Sequence, residues 1–170
     1  MGVLGVFLLF AGIVMTINGI NRIQGLMDPK SLAIMNIITA AVIGIGAFIN
    51  FARAETTFDY LNVASALLFA FTYVFVAANN LFGLDWRVFG WFSLFVTIYA
   101  IFQGLLALKS GDWGFTYLWF GWSLLWLNGF LDTVVGMPSM GKIFPYLSII
   151  IGLFTAFIPS LLMLTDSWSF

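Results

Sequence analysis

Trp119, Trp122 and Trp126, in the uncharged stretch YLWFGWSLLW (117–126), are the side chains of this sequence whose type and spacing most invite chemistry. Each indole offers one N–H donor and no acceptor, and steps of three and four place the three rings on one face of a helix. At 1.5 Å per residue, Trp122 falls about nine residues into that helix and near the middle of a bilayer. An indole N–H in hydrocarbon without a partner costs on the order of a few kcal/mol. Tryptophans of membrane helices ordinarily gather at the two interfaces; Trp86, Trp91, Trp113 and Trp168 fit that habit, whereas the three of the stripe do not. A neighbouring helix, a water or a solute should therefore meet them. Phe69 and Tyr73, four apart in LLFAFTYVF, share a face of an earlier helix and supply a second aromatic wall with one hydroxyl. Two such walls make a flat slot. A planar neutral amide there trades part of its hydration for contact with ring faces and for exchangeable hydrogen bonds to indole N–H and phenol O–H. An ion finds nothing in such a slot to replace its hydration shell. The plainer reading stands beside this one: in a chain that is 19% aromatic, many rings must fill space between helices.

Other chemistries are excluded by residues the chain lacks. With no histidine, the commonest general base, metal ligand and near-neutral proton switch are missing. With no cysteine there is no disulfide framework and no thiol nucleophile. No G-x-x-x-x-G-K-[ST] motif occurs, so no phosphate loop drives the protein. Asp, Glu, Lys and Arg all avoid the middle of the apolar runs, where ion-coupled transporters and intramembrane proteases hold their polar machinery. These absences predict a protein that lets something neutral through without reacting with it: no enzyme, no cofactor, no metal.

The elements that position the aromatics follow from composition. Hydrophobic residues make up 62% of the 170, charged ones only 8%, against about a quarter charged in soluble domains. The charges leave clear runs from Met1 to Asn21, Ser31 to Ala52, Tyr60 to Leu84, Val88 to Leu108, Trp113 to Leu131 and Ile143 to Thr165. A spanning helix needs about 20 such residues. The prediction is an all-α integral membrane protein, one domain over 1–170, with helices at about 2–21, 32–51, 60–81, 88–108, 114–131 and 144–164. Barrel strands alternate over about 10 residues and do not match these continuous runs. The first run has neither a basic start nor a small-x-small cleavage site, so it reads as helix 1 and not as a cleaved leader. Arg22, Lys30, Arg87 and Lys142 fall in the odd loops, Arg53 and Lys109 in the even ones. That bias puts the odd loops in the cytoplasm and both termini outside.

The odd loops also resemble one another: GLMDPKS (25–31), GLDWRVFGW (83–91) and GMPSMGKIFPY (136–146) each open with glycine and a large apolar residue and place a base before the next helix. Asn18, Asn79 and Asn128 close the incoming helices. One helix hairpin used three times accounts for this; the shared turn chemistry of short membrane loops is the competing account.

Taken together, LLFAFTYVFVAANNLFGLDWRVFGWFSLF (67–95), NGI (18–20), MDPKS (27–31), WFGWSLLWL (119–127) and GKIFPYLSIIIGLFTAFIP (141–159) resemble the bacterial urea/amide channel family of the AmiS/UreI type, in order and over nearly the whole chain. The resemblance implies a passive channel in the bacterial inner membrane: three repeated hairpins, one pore per protomer, six protomers in a ring. It implies urea or short aliphatic amides as cargo, and a functional link to a cytoplasmic urease or amidase. Carried over by position, the pore aromatics are Trp119, Trp122, Trp126, Phe69 and Tyr73, with Leu125 at a constriction and Leu8, Ala11 and Met15 contributed by helix 1. Acid-gated members carry a long outer loop with histidine between helices 2 and 3, and a membrane glutamate in helix 6. Here that loop is the short ARAETTFD (52–59), and Ile151 stands at the glutamate's place. Permeation that is open at neutral pH and nearly flat to about pH 5 is the resulting expectation, since only carboxylates remain outside. Two alternatives stay open: an amide-selective permease, and a membrane scaffold that transports nothing.

Overall fold

Several charges that bound the apolar runs serve to start helices. A computed structural model describes residues 2–169, and among them the chain is helix and connecting turn. In order come α1 (Gly2–Gln24), α2 (Pro29–Ala52), α3 (Thr57–Phe82), α4 (Trp86–Ser110), α5 (Trp113–Thr133) and α6 (Pro138–Ile151). A π-helical stretch (Gly152–Phe157) carries α6 on into α7 (Ile158–Leu164), so that Pro138–Leu164 forms one sixth rod. The first N–H groups of any helix lack an intrahelical acceptor. Asp28 accepts the Ser31 N–H at 2.9 Å, Asp85 that of Arg87 at 2.9 Å and Asp112 that of Phe115 at 2.8 Å. Thr56 and Asp59 exchange bonds in a capping box ahead of α3. Gly83 and Gly111 close α3 and α4 with φ of 62° and 79°, a conformation in which a Cβ is strained. The helices accordingly overrun most of the uncharged windows by a few residues, out to their caps.

The exposure pattern inverts that of a soluble protein. Ile45, Phe48, Phe71, Phe95, Ile98 and Leu105 lie on the outside, while Asn36, Thr39, Ser93, Gln103, Ser148 and Ser160 are buried. Among the described residues, five helices are long and apolar enough to cross a membrane: α1, α2, α3, α4 and the Pro138–Leu164 rod. The sequence predicts six such spans, and α5 is the one that falls short. Its Trp, Tyr, Gly, Ser and Asn residues score as only weakly hydrophobic, although its 21 residues reach about 30 Å.

Two compact units make up the chain. The smaller holds α2 and α3; the larger holds α1, α4, α5 and the sixth rod. In the smaller, Asn36, Thr39, Ser65 and Thr72 each bond to the carbonyl four residues back on their own helix. In the larger, α4 meets α5 through small residues. Gly90 lies against Thr133 and Val134, and Gly104 against the Phe120 ring. Glycine also lets α1 touch the sixth rod backbone to backbone, because a Cβ on Gly12 would stand 2.5 Å from Phe157 N and 2.8 Å from Gly152 O. Ser148 Oγ ties the two together by donating to the Met15 carbonyl at 2.9 Å. Pro159 lacks an N–H for the Thr155 carbonyl and would crowd it in a regular α turn. The wider π winding just before it accommodates that break.

Candidate transport site

Three of the four indoles of α5 turn inward. Trp122 and Trp126 are 3% and 6% exposed and Trp119 is half-buried, whereas Trp113 and Tyr117 of the same helix are open. Trp119 and Trp122 meet edge to face, with centroids 5.0 Å apart and planes at 84°. A slot wall made of this pair thus presents one ring face and one ring edge, in contrast to the flat wall expected from spacing alone. Leu125 is half-buried beside them.

Helix α4 completes the cluster with residues that the sequence reasoning passed over. Tyr99 packs edge to face on Trp119, centroids 6.1 Å apart, and its hydroxyl accepts a hydrogen bond from Gln103 Nε2 at 2.9 Å. Gln103 is itself only 6% exposed. The signal was present: a tyrosine and a glutamine four apart inside an apolar run share a face, and a buried amide in a span wants a partner. Which helix they would meet was not written in the spacing.

Leu8, Ala11 and Met15 are all buried on α1. Met15 lies against the π-helical stretch, its Cβ 3.0 Å from where a Cβ on Gly152 would stand. That stretch touches α5 as well, with Thr155 Cγ2 2.9 Å from the corresponding point on Gly121. Phe69 and Tyr73 stand on α3 in the smaller unit, the tyrosine 3% exposed and the phenylalanine half-buried.

Charge keeps to the ends of the helices. Arg22 in the last turn of α1 pairs with Asp132 in the last turn of α5 at 2.6 Å, and its guanidinium lies 4.8 Å over the Phe144 ring. Gly141 makes room for that aspartate, since a Cβ there would stand 2.5 Å from Asp132 Oδ1. Outside the spans, the Arg87 guanidinium holds the Asp85 carboxyl down at about 2. The Ser31 N–H and hydroxyl likewise hold Asp28 below the ordinary carboxylate value. Among the described residues no group of histidines, cysteines and carboxylates could hold a metal ion.

What this arrangement offers a solute is indole edges and faces, phenol and amide groups, and no charge. Known proteins resemble the chain over nearly its whole length. The chain is 36% identical to the acid-activated urea channel of Helicobacter pylori over 97% of this chain and 99% of that one. It is 30% identical to the candidate transporter AmiS2 of Rhodococcus erythropolis over 95% of this chain and 79% of that protein. Its fold superposes on the crystal structure of the Helicobacter pylori urea channel with a TM-score of 0.88 at 36% identity, covering 98% of this chain and 99% of that one. The sequence profile of the AmiS/UreI transporters matches residues 3–167. Full-length similarity in sequence and fold, on an all-helical chain with apolar spans, establishes that this protein belongs to the AmiS/UreI family, a family of transporters and not of enzymes.

Proposed function

We propose that this chain is a passive channel for urea, with short aliphatic amides as further cargo, built as one channel domain over residues 1–170. The observation that carries the proposal is the inward turn of Trp122 and Trp126, two N–H-bearing rings withdrawn from lipid in a protein that keeps ionised groups out of its spans. Such rings bind flat neutral solutes through their faces and donate hydrogen bonds at their edges. The name of the Helicobacter relatives specifies urea, at 35–36% identity. The relatives from Rhodococcus and Mycolicibacterium, at 30%, are named as candidate transporters, the latter of amidate substrates. Urea is therefore put first, and an amide-selective permease is the second reading.

In this proposal Trp119, Trp122, Trp126, Leu125, Phe69, Tyr73, Leu8, Ala11 and Met15 line the pathway. The architecture is three repeated hairpins with one pore per protomer and six protomers in a ring, set in the bacterial inner membrane with both termini outside. α5 counts as the sixth span, because its indoles lower its hydropathy without shortening it. A cytoplasmic urease or amidase would consume what enters. Acid gating is not part of the reading. The alignment to the acid-activated relative runs over 196 positions, more than the 170 residues of this chain, so the relative carries segments this chain lacks. The α2–α3 connection here is only residues 53–56, and the chain has no histidine.

Stopped-flow light scattering of proteoliposomes under a urea gradient, beside acetamide and glycerol, tests the proposal. Wild-type vesicles are expected to equilibrate urea faster than empty ones, and Trp122→Ala and Tyr73→Phe to change that rate while the protein stays folded and assembled. Wild-type rates with both folded variants would make the stripe mere packing, and wild-type vesicles no faster than empty ones would leave the scaffold reading standing.

A further inference from the structure

Trp119 differs from the other two inward indoles of α5. Trp122 and Trp126 are buried, and close packing holds a buried ring in place, whereas Trp119 is half-buried and keeps part of its ring open. The second side-chain torsion of a tryptophan is broad, so neither the backbone nor the three-and-four spacing decides how that ring is set. Its neighbours must. Trp122 meets it at 84° with centroids 5.0 Å apart, and Tyr99 of α4 meets it at 75° with centroids 6.1 Å apart. Both are edge-to-face contacts, an arrangement that ring quadrupoles favour.

Tyr99 is itself half-buried, so its ring too needs something to hold it. Gln103 does so: buried one helical turn along α4, it donates from Nε2 to the Tyr99 hydroxyl at 2.9 Å. A phenylalanine and a leucine would pack there without the cost of placing a hydroxyl and an amide in a span. What the polar pair adds is direction. A hydrogen bond weakens steeply away from its line, so the phenol is held at its tip as well as at its base. At the same level Phe120, next to Trp119 in the chain, lies against Gly104, next to Gln103. That close approach of α4 to α5 fixes the base from which Tyr99 reaches the indole.

We infer that Tyr99 and Gln103 are positioning residues for Trp119, and that they set how strictly the channel separates urea from amides that carry a methyl group. The inference rests on the urea-channel reading, in which Trp119 lines the path, and it gives α4 a part in selection. Urea and acetamide differ by one group. The amino group of urea stays near the plane of its carbonyl, whereas the methyl of acetamide puts hydrogens above and below that plane. An aromatic wall tells the two apart only if it does not yield. Discrimination over a single methyl-sized group is modest, on the order of tenfold, and a wall that tilts forfeits it. An indole held by two edge-to-face neighbours, one of them pinned at its hydroxyl, resists that tilt.

The test is the ratio of acetamide to urea permeability in proteoliposomes, measured by stopped-flow light scattering after subtraction of empty-vesicle rates. A loss of folded protein lowers both fluxes together and leaves this ratio unchanged. Tyr99→Phe keeps the ring and removes its hydroxyl; Gln103→Leu keeps a side chain of similar size and removes the donor. Each is expected to raise the ratio about fivefold, the factor for one net hydrogen bond. The double variant is expected to show the same change and not the product of the two, because residues that act through one bond do not add. An unchanged or lowered ratio in Tyr99→Phe, a double variant at the product of the singles, or a wild type that passes acetamide as fast as urea would each overturn the inference and leave the channel standing. A wild type that passes no urea above empty vesicles would overturn the channel reading, and the inference with it.

Discussion

The α2–α3 pair and the α4–α5 pair are each two long helices joined by a short capped turn, yet they treat buried polar groups differently. In α2 and α3, Asn36, Thr39, Ser65 and Thr72 each return a hydrogen bond to their own helix. Asn79 Oδ1, near the end of α3, is the one buried side-chain atom of that pair left without a bond among the described residues. In α4 and α5, Thr97, Ser123 and Thr133 also return bonds to their own helix, but Gln103 holds the hydroxyl of a tyrosine that packs on Trp119, and the oxygens of Ser93 and Asn128 stay open. Back-bonded hydroxyls are neutral to slightly unfavourable for a helix and invite nothing from outside it. The lesson is that a polar residue in a span is open to a partner only when no carbonyl of its own helix takes its bond. By that criterion the available polar groups of the larger unit concentrate on α4 and α5.

The sharpest contrast between the pairs lies in their spacing. A Cβ on Gly90 of α4 would collide with Thr133 Oγ1, which is itself bonded to the Gly129 carbonyl at 2.8 Å, and with Val134 Cγ2. A Cβ on Gly44 of α2 would find its nearest neighbour, Ala70 Cβ, at 3.8 Å. Gly90→Ala is therefore expected to destabilise by about 1–3 kcal/mol through overpacking. Gly44→Ala should leave stability unchanged or raise it by up to about 1 kcal/mol. Thermal melting in one detergent checks both, and equal shifts would erase the distinction.

A smaller effect probes the polar groups. Gln103→Leu removes the donor to Tyr99 and is expected to lower stability by about 1 kcal/mol. Thr39→Val removes only a bond within its own helix and should stay within about 0.5 kcal/mol of the wild type. If the two match, the hydrogen bond in α4 has no more weight than the back-bonds of α2.

The weakest response should be to pH. Asp28 and Asp85 are held below the ordinary carboxylate value of 3.8 in the folded chain, Asp85 down at about 2. A depressed carboxylate adds stability that is fully present above its unfolded pKa and fades as pH falls toward its folded one. Melting temperature and urea flux are both expected to stay flat from neutrality to about pH 5, with stability declining only below about pH 4. A several-fold rise in urea flux on mild acidification of the outer side would contradict the ungated reading.

Much of this was legible in residues. Charge-free runs mark the spans because a bilayer core tolerates few ions. The three-and-four spacing of Trp119, Trp122 and Trp126 places their rings together whatever surrounds them. Other features were not legible. α5 falls below the hydropathy of a span because the residues that make it interesting are amphipathic. The perpendicular setting of Trp119 on Trp122 depends on rotamers that spacing does not specify. The π winding at Gly152–Phe157 is a local change of pitch that hydrophobic periodicity does not specify.

The order of residues along the chain was enough to decide a membrane protein, its helices, and the face of α5 that carries indole N–H groups, because each follows from composition or from one helix's own geometry. Tertiary structure alone decided that Tyr99 and Gln103 back Trp119, and that Ser93 Oγ lies beside Gly129. Those facts depend on the distance and register between two helices, which packing determines and residue periodicity within either helix does not.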